Sequence, residues 1–82
     1  MDAFVIQMPD RLGDLLRAAR ARKGWTQAQV AKRLGVTTQA VSKLEHNAGK
    51  ASIDRIHRLC LLLDLELVLR DRRVTPIAPA DL

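Results

Sequence analysis

"GWTQAQVAKRLGVTTQAVSKLEHN", residues 24–47, holds two short helix patterns separated by a glycine turn. The first pattern opens at Thr26, which forms a T-x-x-Q capping box with Gln29, while Trp25 and Val30 occupy the positions of a hydrophobic staple. Trp25 is therefore expected to pack at a helix entrance rather than to stack on a base. Val30, Ala31 and Leu34 face inward, and Gly35 supplies the stop. A second helix is expected from Thr37 or Thr38 to His46. Only Val41 and Leu44 in it suit a core. Thr37, Thr38, Gln39, Ser42, Lys43 and Asn47 cover the remaining surface with neutral hydrogen-bonding groups and one cation. An ordinary solvated helix would carry Glu, Lys and Arg there.

Two short helices meeting across "LGVT" form the helix-turn-helix pattern, and the polar face fits the chemistry of a DNA groove. The major groove admits one α-helix and presents donors, acceptors and thymine methyls, whereas carboxylates near it are repelled by phosphates. Thr38 and Gln39 sit at the N-terminal end of the reading helix, with Ser42 and Lys43 one turn later. Gln39 can pair bidentately with adenine, and Lys43 can donate to guanine O6 or N7. Gln27, at the start of the preceding helix, can bring its side chain and nearby backbone N–H groups to a phosphate.

Outward from this core, "DRLGDLLRAARARK" (10–23) places Leu12, Leu15, Leu16 and Ala19 on one helical face, with Asp10 as its cap and Gly24 as its end. Beyond the reading helix, Ser52 is expected to cap a fourth helix that buries Ile53, Ile56, Leu59, Cys60 and Leu63. The period then changes. "LELVLRDR" alternates Leu65, Leu67 and Leu69 against Glu66 and Arg70, a strand signal of period two. Helix is the alternative, since Leu, Glu and Arg are good helix formers. As a strand, unless "AFVIQM" (3–8) pairs with it, its backbone would form an open edge, so pairing with the same strand of a second copy is expected, through Leu65, Leu67, Val68 and Leu69. Four segments follow from this reading: an N-terminal arm (1–9), a helix-turn-helix domain (10–63), a dimerisation strand (64–73) and a flexible tail (74–82).

Charge and composition narrow the function. The net charge is +5. Residues 9–50 carry nine Lys/Arg against three Asp/Glu, so the excess positive charge sits with the polar face. That asymmetry suits a polyanion partner, although basic residues late in the first helix also complement its dipole. Cys60 is the one cysteine, which excludes an internal disulfide and fits a reducing cytoplasm. His46 and His57 are isolated and read as surface residues, so no metal site is expected. No nucleophile–base set, phosphate loop or paired acid appears, so an enzyme and a cofactor are not expected. No run approaches a membrane span, and a cytoplasmic, nucleoid-associated protein is expected.

In residues 24–47 the markers resemble the Xre family of Cro-like, lambda-repressor-like domains. Its T-Q-x-x-L-A appears as Thr26, Gln27, Val30 and Ala31, and its turn as Leu34, Gly35, Val36 and Thr37. Its helix ending appears as Val41, Leu44 and Glu45. The resemblance extends over roughly residues 10–63 and implies a mainly α, four-helix domain. It also implies that Thr38, Gln39, Ser42 and Lys43 face bases while Gln27, Thr37, Asn47 and Lys50 hold the backbone, and that Glu45 is structural. The segment after the fourth helix is most similar to HipB-type antitoxins. That likeness implies a homodimeric repressor of its own operon, bound to double-stranded operator DNA and to a HipA-like kinase toxin. Arg55, Arg58 and the residues after Val74 are candidate toxin contacts. A solitary Xre-type regulator from a phage or mobile element is the alternative.

Overall fold

The computed structural model describes residues 4–6 and 9–71, and these form four α-helices: α1 (Pro9–Lys23), α2 (Gln27–Leu34), α3 (Thr38–His46) and α4 (Ile53–Leu62). A 3-10 turn, Ala48–Lys50, separates α3 from α4. Among the described residues none is in a strand, and no helix is long and apolar enough to cross a membrane. Most of the expected N-terminal arm, the end of the expected strand and the expected tail (74–82) lie outside the described residues.

Local chemistry sets each boundary. Thr26 Oγ1 accepts from the Gln29 backbone N–H at 3.1 Å, and Gln29 Oε1 accepts from the Thr26 N–H at 2.8 Å, which completes the expected capping box. Thr37 and Ser52 cap α3 and α4 in the same way, accepting from the N–H groups of Ala40 and Arg55. Three helices end alike. Gly24, Gly35 and Asp64 take left-handed backbones, with φ of 73°, 73° and 60°. The next residue then donates its N–H back along the helix: Trp25 to Arg20, Val36 to Ala31 and Leu65 to Cys60. This is the Schellman pattern. The two glycines adopt φ > 0 without strain. Asp64 is a rarer choice, and its carboxylate is paired with Lys23 at the end of α1.

The core is aliphatic, as the near absence of aromatics requires. Leu16 and Ala19 of α1, Val30 and Ala31 of α2, Val41 and Leu44 of α3, and Ile56, Leu59 and Cys60 of α4 are buried together with Ala48 and Leu63. Leu12, Trp25, Leu34, Val36 and Leu65 pack against this cluster, so Trp25 is the packing residue expected. Its ring also lies under the Arg33 guanidinium, 4.3 Å from ring centroid to Cζ.

Two expectations need correction. α1 starts at Pro9, one residue early, so Asp10 lies inside the first turn rather than at the cap. Proline suits that first helical position because its missing N–H would have no partner there. Ile53 is 73% exposed rather than buried. It occupies the first residue of α4, and the buried face begins a turn later at Ile56.

Candidate nucleic-acid interface

α3 presents the expected polar face to solvent. Thr37, Thr38, Gln39, Lys43, Asn47 and Lys50 are exposed and Ser42 is half-buried, while Val41, Leu44 and Glu45 face inward. At 3.6 residues per turn, Thr38, Ser42, His46, Gln39 and Lys43 fall, in that angular order, within an arc of roughly 140°. The four expected base readers thus share one surface. His46, which the sequence reading left as an ordinary surface residue, lies in the middle of it.

The two ends of this face are held by backbone geometry. The Thr37 hydroxyl accepts from the Ala40 N–H at 3.1 Å, so it serves first as a cap and keeps its own proton and one lone pair for further partners. At the other end the Asn47 N–H donates to the Lys43 carbonyl at 2.8 Å, and the Lys50 N–H donates to the Asn47 carbonyl at 3.0 Å. Lys50 therefore follows α3 by a single hydrogen-bonded turn rather than by a loose loop.

Behind the face lies a buried carboxylate. Glu45 is 3% exposed. Arg20 of α1 grips it through both ends of its guanidinium, Nε to Oε2 at 2.6 Å and Nη2 to Oε1 at 3.1 Å. Gln27 of α2 donates its amide Nε2–H to Oε1 at 3.0 Å, and Arg17 Nε lies 3.6 Å from the same oxygen. Burial alone pushes the carboxyl up, but the hydrogen bonds from Arg20 and Gln27 and the charges of Arg20 and Arg17 outweigh it and hold Glu45 below the usual carboxylate range. The anion therefore ties three helices together. Arg20 also donates to the Trp25 carbonyl at 2.9 Å, which fixes the entrance of α2. Among the described residues, no buried side-chain polar atom lacks a partner.

Gln27 thus has a partner the sequence did not disclose. A carboxamide nitrogen carries two protons, and Glu45 takes one of them. The side chain is half-buried and oriented by this bond, which uses one of its two amide protons. Gly13 was also missed. A Cβ built on it would overlap the Glu45 carbonyl oxygen and stand 2.9 Å from its carbonyl carbon, so α1 and α3 approach closely only because this residue is glycine. No signal in one sequence distinguishes Gly13 from a neutral helix position.

The expected dimer residues lie elsewhere. Leu65 packs on the core, but Leu67, Val68 and Leu69 are 40%, 70% and 102% exposed. Arg58 is paired with Asp54 one turn away on the outer face of α4, at 3.2 Å.

Comparison with known proteins places this geometry. A helix-turn-helix family model matches residues 16–69. The antitoxin HipB of Escherichia coli O6:H1 is 28% identical over 68 residues, covering 83% of this chain and 72% of that protein. Among solved structures, a HipB–O1–O2 complex superposes with a TM-score of 0.76 at 26% identity, over 84% of this chain and all of that one. The HipA–HipB–O2–O3 complex gives 0.77 at 25% identity, over 87% of this chain and likewise all of its match. The capped helices, the glycine turn and the matched span together make this chain a member of the helix-turn-helix family HTH_3.

Proposed function

We propose that this protein is a HipB-type antitoxin: a homodimeric repressor that reads operator DNA with α3 and binds a HipA-type kinase toxin. The observation that carries this reading is the surface of α3, where Thr38, Gln39, Ser42 and Lys43 stand side by side with no carboxylate among them. Gln27, Thr37, Asn47 and Lys50 flank them as phosphate contacts. The likeness to HipB chains bound to operators and to HipA supports both partners. One helix-turn-helix reads about half a turn of duplex, so useful affinity requires two units spaced ~34 Å apart. Leu67, Val68 and Leu69 support the dimer, because three large apolar side chains exposed in series are costly without a cover. Arg55, Arg58 and the residues after Val74 are the surfaces we assign to the toxin.

Base readers and phosphate contacts respond differently to truncation. With a duplex selected from a randomised pool, Lys43→Ala or Gln39→Ala should cost roughly 1–3 kcal/mol and relax preference at one position per half-site. Gln27→Ala should weaken selected and scrambled duplexes alike. Equal affinity of the wild type for both duplexes at physiological salt would overturn the repressor reading. A protein that binds the selected duplex but does not co-purify with the product of an adjacent kinase-like gene would instead be a solitary Xre-type regulator.

A further inference from the structure

We propose that the outer stripe of α4, made of Ile53, His57 and Leu61, packs against the same stripe of a second copy and forms a helical layer of the dimer. This rests on the homodimer reading above and extends its contact beyond residues 65–71. Ile53 and Leu61 are 73% and 60% exposed, and His57 between them is exposed as well. At 100° per residue the three lie within an arc of roughly 80°. One edge of that arc adjoins Cys60 and Ile56 of the buried face, and the other adjoins Asp54 and Arg58, which pair with each other. A largely apolar strip bounded by charge is the layout of an interface centre with its rim. The four-residue spacing also makes the strip a ridge of the kind that packs one helix on another.

Size argues for a second copy as the occupant. A stable interface takes roughly 20–30 residues a side. The segment 65–71 offers seven, and Leu65 is already packed on its own core. Strand pairing alone therefore leaves the contact too small. Apart from Leu67, Val68 and Leu69, the large apolar side chains exposed among the described residues are Phe4, Val5 and Ile6 before α1, and Ile53 and Leu61 on α4. The α4 stripe is continuous with the strand segment, because Leu61 lies four residues before Leu65, whose N–H donates back to the Cys60 carbonyl. Phe4, Val5 and Ile6 precede the far end of α1 from Lys23, the partner of Asp64, and a helix of that length spans ~20 Å. A two-fold contact is self-complementary. Helices related by an axis perpendicular to them run antiparallel, so His57 meets its own copy and Ile53 lies against Leu61 of the partner subunit. Arg55, roughly 160° around α4 from His57, stays outside this contact and on the surface assigned to the toxin.

The test is sedimentation of the full chain, read as the dimer dissociation constant, for Ile53→Asp, Leu61→Lys and the double variant. Both side chains are exposed in the single subunit, and an acid at the first residue of α4 and a base near its end suit the helix dipole. The subunit should thus keep its helical circular dichroism and its affinity for a duplex carrying one half-site. Each single variant should dimerise at least about tenfold more weakly, since it removes a buried apolar side chain from both subunits. The double variant sets opposite charges against each other across the axis. It should dimerise about 3–10-fold more tightly than the two single losses combined predict. Single variants that dimerise as tightly as the wild type, or a double variant with no such regain, would overturn this inference and leave a strand-paired dimer standing. Unchanged dimers that no longer co-purify with the product of the adjacent kinase-like gene would assign the stripe to the toxin, which overturns it as well. A wild type that stays monomeric at the concentrations that bind the selected duplex would overturn the homodimer reading together with this one.

Discussion

Gly13 shows how one absent methyl group fixes the distance between two helices. In an exposed helix interior, replacing glycine with alanine gains about 1 kcal/mol from helix propensity. At Gly13 the added Cβ meets backbone rather than a flexible side chain, so α1 and α3 must move apart. Gly13→Ala should therefore destabilise the protein by about 1–3 kcal/mol, the range for overpacking, despite the better helix former. Urea unfolding measures this, and a variant more stable than wild type would show that the α1–α3 contact is not tight. Gly24 and Gly35 serve a different need, because each takes a left-handed φ with open space around it.

At the scale of an element, α3 is nine residues long and would not persist alone. Its order comes from Thr37 at one end, Asn47 at the other, and Val41 and Leu44 buried beneath. This arrangement leaves the whole outer arc available for side chains chosen for binding. The segment after α4 is built differently. Leu65 closes the Schellman end of α4 and packs on the core, but residues 65–71 form neither helix nor turn, and the backbone beyond Leu65 has no partner strand among the described residues. If this segment pairs across a dimer, Val68→Pro removes a ladder donor and should shift the protein toward monomer in sedimentation. A chain ending at Asp64 should do the same while far-UV circular dichroism retains its helical signal. Dimers as tight as wild type in both would place the interface elsewhere.

At the scale of the whole molecule, Glu45 joins α1, α2 and α3 through one carboxylate. Removing it leaves the largely buried Arg20 guanidinium without a counter-ion, holding only its bond to the Trp25 carbonyl. Glu45→Ala should cost about 3 kcal/mol, the lower end for a broken buried pair because Arg20 keeps some contact with water. The pH dependence has a definite sign. Glu45 is held below its ordinary range in the fold, so its contribution is complete above the unfolded carboxyl value and is lost as pH falls through the folded one. The stability advantage of wild type over Glu45→Gln, measured by denaturant unfolding, should be constant near neutrality and shrink on acidification. An advantage that stays constant into the acid range would mean that Glu45 is not held as the anion.

What residues 24–47 determined alone was local: two helices, their caps, the glycine turn and the polar arc of α3. Each depends on atoms within about five positions of one another, as in the Thr26–Gln29 box or the Val36–Ala31 bond, so one sequence contains the whole interaction. The tertiary structure decided the rest. Arg20 and Glu45 are 25 residues apart and Gln27 and Glu45 are 18 apart, and no periodicity pairs them. Gly13 against the Glu45 carbonyl, Lys23 against Asp64 and the exposure of Ile53 likewise arise only when helices meet, because a contact between distant residues is a property of packing rather than of spacing.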